Sequence, residues 1–138
     1  MSDDSRAMIE AFYSKLLSAG GSTNITADGE KFLAPSWTSI GNYTGQNKDR
    51  AAFLKQMTGI TQLVPDLKWK IEEVISSGDR HVVRSRATGT PKGPLMGVEP
   101  SPGKKFDMMT IDIHTVKNGQ VITTYHVEDW STALAQLR

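Results

Sequence analysis

The chain has 138 residues, no cysteine, and 16 basic against 15 acidic side chains. This length fits a single domain over residues 1–138 that buries a core without disulfides. The near-neutral charge disfavours nucleic acid and anionic membranes as partners, and the lack of cysteine removes thiol nucleophiles and thiolate metal sites. No apolar run approaches the ~18 residues of a membrane span, and the polar start does not resemble a signal peptide, so we expect a cytoplasmic protein.

The first third of the chain predicts two helices and one short strand. Residues 3–18 carry apolar side chains at helical spacing and end at the glycine pair that starts with Gly20. A short second helix is predicted over 30–33, before Pro35, and an extended piece over 37–43. The predicted apolar face of the first helix is Met8, Ile9, Phe12, Tyr13 and Leu16.

The middle of the chain predicts a third helix and then a change to strand periodicity. Asn47 is the predicted helix cap, with Asp49 in the first turn, and Pro65 ends the helix. Alternation from Leu67 onward slips by one place, which predicts a β-bulge at Glu72–Glu73. A returning strand is predicted over 81–88.

Residues 89–105 hold four glycines and four prolines and predict a long irregular loop. Loops of this length in compact domains are usually lids or binding elements. We therefore expect its central part, residues 91–103 with Leu95, Met96 and Val98, to lie near a binding site.

An Asn118–Gly119 pair between two alternating runs is a strong hairpin signal. A two-residue turn would place Tyr125 and Asp129 on the face of Asp112. A three-residue turn, with Gly119 in a left-handed bulge position, would instead place Ile122, Thr124 and His126 there.

The second register is favoured because it separates polar from apolar side chains. One wall then collects Asp112, His114, Thr124 and His126, and a polar strand face of this kind suits a pocket. The opposite wall collects Ile111, Ile113, Val121, Tyr125 and Val127. Since large exposed apolar patches are rare on monomers, this outer sheet face predicts a homodimer.

Several local motifs occur in an order that resembles one known family. They are Ala34-Pro35-Ser36-Trp37, Pro65-Asp66-Leu67, Asp112-Ile113-His114, Asn118-Gly119-Gln120-Val121-Ile122 and His126-Val127-Glu128-Asp129-Trp130. Together they resemble the SnoaL-like polyketide cyclases, a branch of the nuclear-transport-factor-like superfamily. The resemblance implies an α+β fold, a cone-shaped α+β barrel in which three N-terminal helices pack on a curved, mainly antiparallel sheet that encloses a pocket.

The resemblance also implies a chemistry without metal or cofactor, in which a strand histidine and an aspartate on the last strand promote an intramolecular aldol closure. Counted from Gly119, the family's histidine position falls on Asp112 and its aspartate position on His126, so the pair is exchanged here. Two further family positions fall on Ser39 and Thr110. We therefore predict Asp112 and His126 as the catalytic pair.

Which member of the pair is the base stays open. If Asp112 holds the imidazole, His126 is the better base near neutral pH. If the two stand apart, Asp112 takes a carbon-bound proton and protonated His126 donates to the developing enolate oxygen.

The remaining polar and apolar candidates receive supporting roles. His114 is expected at the rim or in a supporting role, and His81 on the surface. Glu128 and Asp129 are expected to cap a final helix over 131–137, with a role in the pocket as the second possibility. No metal site is expected, because His81 is predicted to lie too far from the other two histidines. The predicted substrate-binding residues are Trp37, Ser39, Tyr43, Phe53, Met57, Met108, Thr110, His114 and Thr124.

The leading hypothesis is thus a cofactor-independent enzyme that enolises a hydrophobic small-molecule ketone for cyclisation or isomerisation. A first alternative is a binding or association module that keeps the fold without catalysis. A second is a hydrolase in which Asp112 activates water and an arginine such as Arg84 assists, although alternation favours a solvated strand face for Arg84 and Arg86.

Overall fold

The computed structural model describes residues 3–138. These residues form four α-helices, one π-helical turn and one six-stranded sheet. In chain order the elements are α1 (Asp3–Ala11), the π-helical turn (Phe12–Leu16), α2 (Ile25–Phe32), β1 (Leu33–Ile40), β2 (Lys48–Asp49), α3 (Arg50–Leu63), β3 (Lys68–Ser77), β4 (Arg80–Gly89), β5 (Phe106–Lys117), β6 (Gln120–Glu128) and α4 (Trp130–Leu137).

The first helical segment matches its predicted amphipathic pattern. Its last turn widens into the π-helical turn, and Gly20, with φ of 73°, follows shortly after it. The whole predicted apolar face is buried, namely Met8, Ile9, Phe12, Tyr13 and Leu16. The sequence pattern therefore fixed which side of this segment faces the sheet.

The next two helices begin at different places from those predicted, because other side chains cap them. Asn24 accepts a hydrogen bond from the Ala27 amide, so α2 starts well before residue 30. The predicted cap of α3, Asn47, is wrong. Asp49 accepts from the Ala52 amide at 2.8 Å and caps α3, after its backbone has paired with β1.

The strand order across the sheet is β2-β1-β6-β5-β4-β3. Neighbouring strands run antiparallel except β1 and β6, which are parallel. This architecture confirms the predicted α+β class. The predicted bulge in β3 is also confirmed, because Ile71 lies opposite Ser85 while Glu73 lies opposite Arg84.

The hairpin between β5 and β6 differs from the favoured prediction in its turn. Lys117 pairs directly with Gln120, so the turn has two residues and not three. Asn118 and Gly119 have φ angles of 53° and 75°, which is the left-handed pair that a tight hairpin turn of this twist requires.

A bulge at Ile122 then restores the predicted face. Beyond it, Asp112 lies opposite His126 in the antiparallel register, as the favoured arrangement required. Val121, however, was predicted on the outer wall and is 1% exposed within the core. The extra residue, Ile122, comes after the turn. Val121 precedes it and follows the register of a two-residue turn, whereas the residues after it follow the register predicted for a three-residue turn.

The two faces of the sheet have opposite surroundings. The inner face packs under the helices and buries seven polar or charged side chains: Ser39, His81, Ser85, Thr110, Asp112, His114 and Thr124. The outer face exposes Met109, Ile111, Tyr125 and Val127. Arg84 and Arg86 are also on the outer face, where they pair with Glu73 and Asp107.

The long loop between β4 and β5 is anchored at its centre. Leu95 and Val98 pair with each other and are buried, and the two residues between them form a tight turn. Both turn residues, Met96 and Gly97, have positive φ, of 50° and 79°. Met96 therefore stands out from the loop with half of its surface exposed.

Candidate active site

A pocket of about 640 Å³, including its open mouth, lies between the helices and the inner face of the sheet. Its residues come from β1, β3, β5 and β6 as well as from the helices, so the sheet curves around it. All three tryptophans of the chain reach this pocket. The lining residues are Phe12, Leu17, Trp37, Ser39, Lys48, Phe53, Gln56, Met57, Ile60, Trp69, Met96, Asp112, Thr124, His126, Glu128 and Trp130.

Asp112, from β5, is the most deeply buried carboxylate of the pocket, with 4% of its surface exposed. Its Oδ2 atom accepts a 2.5 Å hydrogen bond from the Tyr13 hydroxyl. Burial raises the pKa of Asp112 to about 7, against the opposing effect of the Tyr13 hydrogen bond. A carboxyl group with this pKa exchanges its proton near neutral pH.

A chain of buried hydrogen bonds continues behind Asp112. The Tyr13 hydroxyl also contacts Nε2 of His114 at 2.8 Å, and Nδ1 of His114 contacts Oγ1 of Thr124 at 2.8 Å. Oγ1 of Thr124 in turn accepts from the indole nitrogen of Trp37 at 3.1 Å. Four side chains from four segments of the protein thus connect to one carboxylate.

His126, from β6, lies beside Asp112 on the same face and has a different carboxylate partner. Its Nδ1 atom is 3.7 Å from Oε2 of Glu128, and Oε1 of Glu128 accepts from the Trp130 indole at 2.8 Å. Within residues 3–138, no hydrogen bond joins His126 to Asp112. A Cβ atom at Gly41 would lie 2.9 Å from Nε2 of His126, so the glycine leaves room beside that edge of the ring.

The second carboxylate of the pocket, Glu128, titrates in the opposite direction to Asp112. Burial alone would raise the pKa of Glu128, but its contacts with His126 and Trp130, and the more distant charge of Lys48, hold it below its ordinary value. Glu128 is therefore an anion near neutral pH, while Asp112 is close to half protonated. The two carboxyl groups of this pocket thus differ in protonation near neutral pH.

The predicted site residues divide into three groups. Trp37, Ser39, Phe53, Met57 and Thr124 line the pocket together with Asp112 and His126. Met108, Thr110 and His114 lie buried behind its wall; Thr110 accepts from the Trp69 indole, and His114 is not at the rim. The prediction is wrong for Tyr43, whose side chain is fully exposed in the segment after β1.

Three residues have a larger place at the site than the sequence interpretation gave them. Tyr13 was predicted only as core and carries the hydrogen bond to Asp112. Glu128 was predicted first as a helix cap and only second as a pocket residue, but Asp129 alone caps α4, through the Thr132 amide, and Glu128 lines the pocket. His81 was predicted on the surface and is 2% exposed, opposite His114 on the neighbouring strand and bonded to Ser76.

One signal in the sequence could have indicated Glu128. In a strand of period two, His126 and Glu128 share a face, so a residue on the pocket side at 126 implies another at 128. Tyr13 left no comparable signal, since an amphipathic helix shows which face is buried and not which atoms it meets.

No group of three or more metal-ligating side chains that could hold an ion occurs within the described residues. Among the helices of residues 3–138, none has both the length and the hydropathy needed to span a membrane.

Comparison with known proteins identifies relatives over almost the entire chain. The profile of the SnoaL-like polyketide cyclases matches residues 7–137. No protein of curated function matches the chain.

Solved structures show the same fold at low sequence identity. A candidate SnoaL-like polyketide cyclase from Jannaschia sp. CCS1 superposes with a TM-score of 0.82 at 22% identity, over 99% of this chain and 95% of that one. IdmH, a candidate polyketide cyclase from Streptomyces antibioticus, gives 0.80 at 23% identity, over 96% and 97%. A protein from Catenulispora acidiphila DSM 44928 with a ketosteroid isomerase-like fold, in complex with trimethylamine, gives 0.73 at 16% identity, over 94% and 91%.

Proposed function

Because this chain belongs to the SnoaL-like polyketide cyclase family, we propose that it is an enzyme that removes a proton from the carbon next to a ketone. The substrate is a hydrophobic small molecule, and the reaction is an intramolecular aldol cyclisation or an isomerisation. Asp112 is the base and His126 is the acid. The observation that carries this proposal is the buried Asp112 carboxyl group, with a pKa of about 7, at a mostly apolar pocket.

The assignment of Asp112 as base rests on its partners. One carboxylate oxygen is held by Tyr13, which leaves the other for a substrate proton. A general base works best when its pKa is near the working pH, because it is then ionised in part and still binds a proton well. Burial gives Asp112 this property, which an exposed aspartate with a pKa of 3.8 lacks.

The assignment of His126 as acid rests on Glu128. With the ionised Glu128 carboxylate facing Nδ1, the proton on that nitrogen points away from the substrate. His126 lines the pocket, and Nε2 is the nitrogen that Glu128 does not face, so Nε2 can donate to a substrate oxygen. The arrangement in which Asp112 fixes the histidine tautomer is not supported, since Glu128 occupies that position.

The reaction can be written with atoms and charges balanced. The Asp112 carboxylate takes the α-proton, and the C–H electron pair moves to the ketone oxygen as an enolate, which accepts a proton or hydrogen bond from His126. In cyclisation the enolate carbon then attacks a second carbonyl of the same molecule, and the new alkoxide oxygen takes the proton that Asp112 holds. In isomerisation Asp112 returns the proton to a different carbon. In both reactions the first ketone forms again, and any proton that its oxygen received goes back to His126.

Hydrolysis assisted by Arg84 loses its basis, because Arg84 is on the outer face and donates to Glu73 at 2.9 Å. The binding-module alternative makes a different prediction from the enzyme proposal. A binding module needs the apolar walls of the pocket, such as Trp37 and Met57, but does not need an ionisable group at 112.

The experiment that tests the proposal follows proton removal directly. The protein is incubated in D₂O with a panel of aromatic and polycyclic ketones, and loss of the α-proton signal is followed by NMR. We expect exchange above the buffer rate with the wild-type protein, and a fall of about 10²–10⁴-fold for Asp112→Asn. Quenching of the pocket tryptophans measures ligand binding in the same samples, and binding is expected to survive the substitution.

Asp107→Asn is the matched control. Asp107 is on the same strand but points to the outer face, where it pairs with Arg86, so exchange should be unchanged. If exchange by the Asp112→Asn, His126→Ala double variant equals that of the wild type, the proposed pair is wrong. Binding of a ketone without exchange by the wild type would support the binding-module alternative.

A further inference from the structure

We propose that Tyr13 and His114 are positioning residues that, with Thr124 and Trp37, form a one-directional hydrogen-bond chain that keeps Oδ2 of Asp112 an acceptor. The inference rests on the proposed function only for its catalytic meaning, because Asp112 is the base of that proposal. The chain itself follows from the geometry of buried donors and acceptors.

The direction of the chain is set at its far end. An indole N–H can only donate, so Trp37 makes Oγ1 of Thr124 an acceptor. The single hydroxyl proton of Thr124 is then free to point to Nδ1 of His114, which lies 2.8 Å away. If His114 donated to Thr124 instead, Oγ1 would accept twice, and the Thr124 proton would have no partner among the hydrogen bonds of residues 3–138, in which Oγ1 contacts only Trp37 and His114.

The next two links follow from the protonation state of His114. Burial, assisted by the charges of His81 and His126, lowers the pKa of His114 to about 3, so the ring is neutral and carries one proton. Since Nδ1 accepts from Thr124, that proton is on Nε2 and is donated to the Tyr13 oxygen. The Tyr13 hydroxyl must then donate to Asp112.

Tyr13 is suited to this terminal position. Burial, together with the charge of Asp112, raises the pKa of Tyr13 well above its ordinary value, so the hydroxyl keeps its proton. Its side chain is 1% exposed, which keeps water from replacing it. A donor that cannot ionise and cannot rotate to solvent holds one oxygen of Asp112 and leaves the other for the exchangeable proton.

The chain offsets the effect of burial on the base. Among the groups that face Asp112, which are Tyr13, His114, His126 and Glu128, burial and Glu128 favour the protonated carboxyl, whereas Tyr13 and His126 favour the carboxylate. Without the Tyr13 donor, the pKa of Asp112 should rise above its wild-type value. Less of the base would then be ionised at neutral pH.

The first test needs no substitution and no substrate. Nitrogen-15 NMR of the histidine side chains in the wild-type protein is expected to show His114 neutral, with its proton on Nε2, from about pH 5 to about pH 8. A proton on Nδ1, or a His114 that titrates within this interval, would overturn the proposal.

The second test measures Asp112 itself. Carbon-13 NMR of the Asp112 carboxyl group in Tyr13→Phe is expected to show an upward shift of its pKa, and ketone exchange at pH 7 should fall by roughly 10-fold and recover in part at higher pH. Tyr43→Phe, at a fully exposed side chain outside the pocket, is the matched control and should change neither. A carboxyl pKa in Tyr13→Phe equal to that of the wild type would refute the positioning role.

The two proposals fail in different ways. If His114 carries its proton on Nε2 but ketone exchange survives Asp112→Asn, the hydrogen-bond chain stands and the proposed base is wrong. If His114 carries its proton on Nδ1 and exchange is lost in Asp112→Asn, the hydrogen-bond chain is wrong and the proposed base stands.

Discussion

Two carboxyl groups at one pocket differ in charge at neutral pH because their neighbours differ. Within the described part of the chain, Asp112 has only a hydroxyl as its hydrogen-bond partner, and burial raises its pKa. Glu128 has an imidazole and an indole N–H as partners, which lower its pKa and keep it ionised. Sites that separate the pKa values of two acids in this way can give them separate roles in catalysis. In the proposed reaction, this separation suits Asp112 to proton transfer and Glu128 to the orientation of His126.

The raised pKa of Asp112 also predicts how stability depends on pH. Between its unfolded pKa of 3.8 and its folded value of about 7, the folded protein holds more protons than the unfolded chain. Stability contributed by the protonated Asp112 is therefore complete at low pH and is lost as the pH rises toward 7. Asp112→Asn, which cannot ionise, should escape this loss.

We expect the stability of Asp112→Asn relative to wild type to be greater at about pH 8 than at about pH 5, by roughly 2–3 kcal/mol. Urea unfolding followed by tryptophan fluorescence at the two pH values measures this difference. Asp107→Asn, in an exposed ion pair, is the control and should show a much smaller change. An equal advantage of Asp112→Asn at both pH values would contradict the raised pKa.

The sequence predicted individual site residues only where residue type and strand alternation were sufficient to identify them. Asp112 and His126 follow from a polar strand face, and both line the pocket. Tyr13 does not, because it is 99 residues from Asp112 in the chain and its pattern matches any buried helical aromatic residue. His81 was predicted on the surface because it flanks a turn, but the inward strand face continues up to that turn.

Among the elements, β6 shows how a correct face can follow from an incorrect turn. A two-residue turn alone would place Tyr125 beside Asp112, and the sequence gives no warning of the compensating bulge at Ile122. The alternation of polar and apolar residues did show that the wrong register is unfavourable, because it would bury Asp129 and expose His126. Burial of the apolar side chains decides between registers more strongly than the turn does.

In the tight turn of the loop between β4 and β5, we expect Met96 to lower the stability of the fold and to contribute to ligand binding. Met96 holds a φ of 50°, which costs a non-glycine residue about 1 kcal/mol, and its side chain lies at the pocket. Strain kept at a functional site usually has a role there. We expect the Met96 side chain to cover part of a bound ligand.

Met96→Gly should therefore leave the free energy of unfolding unchanged or raise it by about 0.5–1 kcal/mol, and still weaken ketone binding. Thermal unfolding and tryptophan quenching measure the two effects. Asn118→Gly, at a φ of 53° in the β5–β6 turn, is the matched control and should leave ketone binding unchanged. If both variants bind like the wild type, Met96 is not part of the site.

For the molecule as a whole, the unequal faces of the sheet have a further consequence. The outer face carries a groove lined by Ile40, Ile111, Ile113, Tyr125 and Val127, with His126 at its edge. The ion pairs Arg84–Glu73 and Arg86–Asp107 border this apolar area. An apolar centre with a charged rim is the usual composition of a protein interface.

We propose that a second copy of the chain covers this face, as the separation of polar and apolar strand residues predicted from the sequence. Ile111 and Val127 are 42% and 70% exposed in the single chain, and two such faces can pack on each other about a twofold axis. A partner there would also cover the edge of His126 that lines the groove.

Light scattering on a size-exclusion column at micromolar concentration should give the mass of a dimer for the wild-type protein. Ile111→Lys should give a folded monomer, because a desolvated ammonium group at the centre of the interface costs more than the apolar contacts gain. Gln62→Lys adds the same charge to an exposed position near the end of α3 and should stay dimeric. A wild-type monomer at this concentration would contradict the proposed dimer. It would mean that solvent covers the outer face despite its composition, and that no second copy of the chain lies beside His126.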